Sequence, residues 1–312
     1  PIVISAFDPR VIYYAAQFLF RSTDRGDSWT KISPDLTSNV NQHSLPTMGK
    51  LPDAKMISRQ DGVWNWPTIT SIAESPLNPS LLWAGTDDGI IQVTRDLGKT
   101  WRNVTSKLPG LPHMTCVGRI IASRHAEGTA YAVLDNHRMN DFEPYIYATA
   151  DFGETWRRIT AGLPKNNGAA RALREHHRNP DLLFAGTEFG VFVSFDRGAR
   201  WSPLRLNLPT VPVADIAIHP RENDLILGTH GRSIWVLDDI TPFEQMSERV
   251  RESDLHLQRT AAERADTKHS WRPSLILTIQ IMIGCWNGRE ESSTRRDLIW
   301  RISINFSPRS GR

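Results

Sequence analysis

The stretch Ser22-Thr23-Asp24-Arg25-Gly26-Asp27-Ser28-Trp29 returns three times with the same spacing. It recurs as Thr94, Asp96, Gly98 and Trp101, as Thr149, Asp151, Gly153 and Trp156, and as Ser194, Asp196, Gly198 and Trp201. An Asp side chain accepts hydrogen bonds from backbone N–H groups just downstream and so closes a local turn. Glycine supplies positive φ without a steric cost. The tryptophan opens the returning strand and offers a broad apolar plate for packing. The octapeptide therefore reads as a hairpin turn, repeated at Asp-to-Asp intervals of 72, 55 and 45 residues.

Short strands flank each turn. Leu81 to Thr86, a turn at Asp87-Asp88-Gly89 and Ile90 to Val93 lead into the second octapeptide. Leu182 to Thr187, a turn at Glu188-Phe189-Gly190 and Val191 to Val193 lead into the fourth. Leu225 to Thr229, a turn at His230-Gly231-Arg232 and Ile234 to Leu237 form a fifth copy, ending in Asp238-Asp239 without the Gly and Trp. Each copy is preceded by another strand with a Pro-containing turn, as in Ile69 to Ala73, Ala170 to Leu173 and Ala214 to Ile218. A fourth strand follows each turn, as in Thr100 to Val104 or Thr155 to Ile159. Four strands repeating at about 45 residues predict an all-β chain built of propeller blades. The first strands, Val3 to Ala6 and Val11 to Ala15, are expected to open inside a blade.

Composition narrows the function classes. The chain has 312 residues, 39% apolar and 23% charged, with 11 Trp, 5 Tyr and 2 Cys. Cys116 and Cys285 cannot build a disulfide framework or a four-ligand zinc site. The pI near 9.0 belongs to one end: residues 251–312 hold 11 basic and 7 acidic groups, and residues 1–250 hold 26 and 27. A nearly neutral body is not a polyanion-binding surface, so nucleic acid is not an expected partner. No apolar run of about 18 residues predicts a membrane span, and no leader is visible at Pro1.

The octapeptides resemble the Asp-box (BNR) repeat of sialidases, xyloglucanases, photosystem assembly factors and sortilin-type receptors. A closer resemblance is to a family of large bacterial proteins with a sortilin (VPS10)-like propeller, often labelled glycosyl hydrolase by repeat content alone. The likeness also rests on Phe18 to Gly26 with Ile32 to Thr37, on Leu82 to Gly89 and on Leu227 to Asp239. It covers about residues 1–256 and implies an extracytoplasmic setting and a longer protein, since five signatures are expected to leave the ring incomplete. Residues 251–312 depart from it as an atypical basic tail, expected to be irregular, disordered or frame-shifted from about residue 258. Ser274 to Ile283 is the one strand expected there, without partners.

Blade geometry divides the candidate residues between two faces. The octapeptides are turns between third and fourth strands, so Asp24, Asp96, Asp151 and Asp196 are expected to be structural. The opposite face carries the turns between second and third strands and the connections between blades. It presents Asp87, Asp88 and Glu188, the candidate carboxylates for glycoside hydrolysis, which needs one acid and one base or nucleophile. His230, Arg232, Trp64, Trp66, Arg119 and Arg171 are the candidate binding residues, the last four assigned to connections between blades together with His113, Lys165, Asn166 and Asn167. The longest connection, Ser38 to Trp66, adds Asp53, Lys55, Arg59 and Asp61. None of Tyr13, Tyr14, Tyr131, Tyr145 and Tyr147 stands out as an activated nucleophile. No cofactor or metal is expected: Asp87-Asp88 and Asp238-Asp239 lack spaced oxygen ligands, and the adjacent His176 and His177 are expected to point to opposite sides. A module that binds protein or peptide is the leading reading, and a glycan-active enzyme or carbohydrate-binding domain the alternative.

Overall fold

The computed structural model describes residues 1–46, 50–53, 55–56, 66–165, 168–205, 208–246, 276–281 and 300–305. Among the described residues, five antiparallel sheets of three or four strands follow one another along the chain. Blade 1 comprises β1 (Ile2–Ile4), β2 (Ile12–Ala15), β3 (Leu19–Ser22) and β4 (Thr30–Lys31). Blade 2 comprises β5 (Ile69–Ser75), β6 (Asn78–Thr86), β7 (Ile91–Thr94) and β8 (Arg102–Asn103). Blade 3 comprises β9 (Cys116–Ala122), β10 (Ala130–Asp135), β11 (Tyr145–Thr149) and β12 (Arg157–Arg158). Blade 4 comprises β13 (Ala170–Glu175), β14 (Leu183–Thr187), β15 (Gly190–Ser194) and β16 (Ser202–Pro203). Blade 5 has three strands, β17 (Val213–Ile218), β18 (Leu225–Thr229) and β19 (Ile234–Leu237). This is a β-propeller whose ring is not closed. Blade 1 has all four strands, so the expectation of an opening inside a blade is corrected.

The chain divides into two compact units, Pro1–Pro220 with Leu225–Val236, and Arg221–Asp224 with Leu237–Arg312. In the second, Ile240 N–H donates to the Asn223 carbonyl and the Asn223 amide to Thr241 Oγ1 and Glu244 Oε1. A one-turn helix spans Thr241–Glu244. The strand expected alone in the tail is instead paired: β20 (Ile276–Ile281) runs antiparallel to β21 (Trp300–Asn305), with Ile276 opposite Asn305.

All four octapeptides close by the same hydrogen bonds. In the first, Ser28 N–H donates to Asp24 Oδ1 at 2.9 Å and Gly26 N–H to Ser22 Oγ at 2.8 Å. The fifth residue of the motif after the leading Ser or Thr-x pair adds a bond that the sequence pattern omitted. Ser28, Thr100 and Thr155 hydroxyls donate to the second carboxylate oxygen at 2.5, 2.6 and 2.6 Å. Arg200 stands there in the fourth copy and contributes only its N–H, at 2.9 Å from Asp196 Oδ1. These bonds, led by those from Ser28 and Thr100, hold the Asp24 and Asp96 carboxyls down to about 2. Two successive residues are left-handed in every copy: Leu97 at φ 58° before Gly98 at 87° is typical. Phe152 N–H and Arg197 N–H each reach the turn between first and second strands of their own blade, at 2.9 and 3.0 Å, and Leu97 N–H reaches the Ser80 carbonyl near the start of the second strand at 2.9 Å. The octapeptides therefore share a face with those turns.

The core lies between blades as three apolar layers. Tyr13, Leu19, Leu36, Ile69 and Leu82 fill the first joint, Trp83, Ile91, Val104, Val117 and Trp156 the second, and Tyr131, Ile159, Leu173, Leu183 and Trp201 the third. The fourth strands are two residues long, shorter than expected. Val104 and Ile159 still donate to the Ile91 and Ile146 carbonyls at 2.9 and 2.8 Å, and then become the surface on which the next octapeptide sits. Trp101 Nε1 donates to the Ile32 carbonyl of the preceding blade at 3.1 Å, and Trp201 Nε1 to that of Ile159 at 2.7 Å. Trp156 instead packs edge-on against Trp83, with ring centroids 6.0 Å apart. Trp29 is 43% exposed.

Two carboxylates latch neighbouring blades. Glu74 of blade 2 accepts from the Ser5 hydroxyl at 2.9 Å, Ala6 N–H at 2.8 Å and the Tyr13 hydroxyl at 3.1 Å. Glu175 of blade 4 accepts the equivalent three from Ser123, Arg124 and Tyr131 at 2.8, 3.0 and 3.3 Å.

A methyl added at Gly98 would lie 2.2 Å from the Ile32 carbonyl oxygen, whereas at Gly26 the nearest atom is 3.6 Å away. Both glycines have positive φ. Gly98→Ala is expected to destabilise by about 3 kcal/mol, combining left-handed strain and overpacking, and Gly26→Ala by about 1 kcal/mol from strain alone. Urea denaturation midpoints of the two variants check this, and equal shifts would show that the close approach imposes no constraint.

Candidate functional site

The turns between second and third strands are tied to the residue that precedes the first strand of the same blade. Asp87 N–H donates to the Thr68 carbonyl at 3.0 Å, Glu188 N–H to Ala169 at 3.2 Å and His230 N–H to Pro212 at 2.9 Å. This places Asp87, Asp88, Glu188, His230 and Arg232 on the face opposite the octapeptides.

The three candidate carboxylates have different surroundings. Asp88 is 2% exposed and accepts Ser38 N–H at 2.7 Å and the Thr86 hydroxyl. It pins the start of the Ser38 to Trp66 connection and is closed to a ligand. Asp87 accepts Thr68 N–H at 2.8 Å. Burial pushes its carboxyl up to about 6, outweighing the Thr68 bond, and the neighbouring Asp88 charge adds to the rise. Glu188 is ion-paired to Arg171, whose Nε lies 2.5 Å from Glu188 Oε1.

Arg171 also reaches Asp135 Oδ2 at 2.5 Å, and the same oxygen receives His137 Nδ1 at 2.6 Å. Asp135 ends β10, and His137 and Arg138 belong to the long turn that joins it to β11. The sequence reading missed them because that turn lacks the short Asp-Asp-Gly type found in blade 2; the run Asp135-Asn136-His137-Arg138 was the available signal. Farther along the same turn, Asp141 accepts the Tyr145 hydroxyl at 2.7 Å and the Asn136 amide at 2.9 Å. The turn also exposes Met139 (68%) and Phe142 (40%), and Phe189 (48%) stands beside Glu188 in blade 4.

Other expected site residues are placed differently. Arg119 and Arg171 lie within β9 and β13, not in connections between blades, because those strands begin earlier than their apolar residues suggest. His230 and Arg232 are exposed. Trp66 is half-buried, and His113, Asp53, Lys55 and Lys165 are exposed. Trp64, Arg59, Asp61, Asn166 and Asn167 lie outside the described residues. His176 and His177 do not diverge. Their rings stack with centroids 4.6 Å apart, because His176 Nδ1 accepts the N–H groups of Arg178 and Asn179 and curls the chain out of strand geometry. Tyr13 and Tyr131 do face carboxylates, yet burial raises both phenols, Tyr13 to about 12, so neither is an activated nucleophile. Burial likewise pushes the Cys116 thiol up to about 11.

No protein-family model matches the chain, and no curated protein matches it by sequence. Solved structures do share its fold. The GH74 xyloglucanase of Xanthomonas campestris superposes with a TM-score of 0.54 at 18% identity, over 75% of this chain and 35% of that one. The GH74 enzyme of Niastella koreensis gives 0.51 at 13% identity, over 77% and 35%. PorZ, a surface component of the type-IX secretion system of Porphyromonas gingivalis, gives 0.51 at 14%, over 76% and 32%. The chain spans about a third of the length of each. The likeness establishes a propeller fold. Among the described residues no helix is long and apolar enough to cross a membrane.

The raised Asp87 carboxyl has a stability consequence. A group whose folded pKa lies above its unfolded value favours folding fully below the unfolded pKa, here near 3.8, and loses that advantage as pH rises through about 6. Asp87→Asn is therefore expected to gain stability relative to the native chain between pH 4 and pH 7, by about 2 kcal/mol. Thermal or urea unfolding of both proteins across that range measures the difference, and a pH-independent gap would contradict the burial of this carboxyl.

Proposed function

We propose that this chain is a recognition module of a larger propeller protein, binding a protein or peptide ligand on the face opposite the octapeptides. The observation that carries the reading is the commitment of the carboxylates there. Asp88 is buried under two donors, and Glu188 and Asp135 share Arg171. A hydrolytic pair needs one acid and one free base or nucleophile on either side of a glycosidic bond, and Asp87 has no such partner among these groups. Exposed Met139, Phe142 and Phe189 around a fixed charged network offer the mixture of aromatic anchors and oriented polar groups that recognition surfaces use.

The resemblance to Asp-box and sortilin-like propellers supports the same reading and an extracytoplasmic setting. The four turns carry the Asp, Gly and Trp of that repeat, and PorZ is described as a bacterial surface component. The glycan-active alternative draws on Asp87, whose carboxyl near 6 suits a general acid, and on the shared fold with GH74 enzymes.

A peptide array and a glycan panel that includes xyloglucan and sialosides separate the two readings. Binding of selected peptides is expected to weaken about tenfold or more in Phe189→Ala and Phe142→Ala and to persist in Asp87→Asn. Turnover of any glycan that disappears in Asp87→Asn would establish the enzyme instead.

A further inference from the structure

On the face opposite the octapeptides, blade 4 carries a groove of about 600 Å³, a size typical of ligand clefts. Three stretches wall it: Gly162 to Pro164 of the connection from blade 3, Phe189 to Phe192 of the turn and β15, and Pro203 to Arg205 with Leu208 to Thr210 in and after β16. Leu163, Val191 and Phe192 contribute buried apolar surface, and Phe189 stands 48% exposed beside them.

This wall offers a peptide side-chain contacts rather than main-chain pairing. Leu204 N–H points inward and donates to the Val191 carbonyl at 2.9 Å. By strand alternation the outward position of β16 then falls on Pro203, which lies opposite Phe192. Proline has no N–H, so this edge cannot add a strand through that residue. Pro164 and Pro209 likewise have none, and Leu208 N–H is taken by the Arg205 carbonyl at 3.0 Å. A ligand of this groove therefore inserts a side chain.

Among the described residues that line the groove, Arg205 alone is charged. It is exposed, and among the described residues it makes no ion pair. A cation at the edge of an apolar slot favours a ligand that brings a carboxylate beside its apolar group. We propose that the groove takes a bulky apolar side chain of an extended peptide, Leu, Phe or Trp, with a neighbouring Asp or Glu on Arg205. An exposed ion pair contributes little by itself. Apolar insertion thus supplies the affinity, and Arg205 selects acidic over basic neighbours. This names the ligand class for the peptide recognition proposed above and rests on that reading.

Fluorescence anisotropy of end-labelled peptides with the full chain tests it. The probes are amidated peptides in a Gly-Ser frame that carry one Trp flanked by Glu, Gln or Lys, with a Glu-flanked Ala peptide as reference. Amidation leaves the side chain as the only carboxylate. The Trp-Glu peptide is expected to bind about tenfold tighter than the Trp-Lys and Ala-Glu peptides, with Trp-Gln between. Arg205→Glu is expected to invert the order of Glu and Lys. Lys99→Glu, an equal change of net charge at an exposed position on the octapeptide face, is expected to keep the native order. Displacement of the Trp-Glu peptide by dodecanoate at lower concentration than by unlabelled peptide would assign the groove to a small apolar acid and overturn the proposal. Array-selected peptides that bind Arg205→Glu as they bind the native chain overturn this assignment and leave the recognition reading standing. Absence of binding by any arrayed peptide overturns both.

Discussion

In each octapeptide turn the Asp carboxylate gathers the N–H four residues on, and the leading Ser or Thr gathers the glycine N–H. Those bonds hold two consecutive residues in the left-handed region, and in the second, third and fourth copies they bring the glycine Cα against the blade before it. At Gly98 the clearance is so small that no side chain fits beneath the Ile32 carbonyl. The turn is thus both the end of one hairpin and the fastening of one blade to the next. Its tryptophan completes the fastening in two joints by donating to the carbonyl of that same supporting residue. The apolar layers between blades can close only because this contact sets their spacing.

The polar groups of the joints follow a second repetition. Glu74 and Glu175 occupy equivalent ends of β5 and β13 and collect the same three donors from the blade before. They join blade 2 to blade 1 and blade 4 to blade 3. A buried carboxylate is tolerated where its oxygens are satisfied in this way.

Much of the architecture was legible in the residues. The spacing of Asp, Gly and Trp located the turns, β18 and β19 begin and end where their apolar runs do, and the degenerate fifth copy corresponds to a blade with three strands. The carboxylates proposed for chemistry were found on the expected face, but their availability was not legible. Asp88 is consumed by Ser38 N–H, fifty residues away in sequence, and Glu188 by Arg171, which had been assigned to a connection. Asp135 and His137 went unnoticed because their turn lacks the Asp-Asp-Gly form seen in blade 2; Arg171 of the next blade makes them part of a network. The histidine pair was misread because strand alternation was applied where His176 Nδ1 had already bent the chain.

The sequence by itself determined the repeat, its turns and its strands, since these depend on hydrogen bonds between residues at most four apart and on side-chain alternation. Only the tertiary structure decided which charges remain available. Ion pairs and burial depend on neighbours from other blades, as with Arg119 and Asp215 across the ring interior, and a one-dimensional pattern carries no information about which strands those neighbours are.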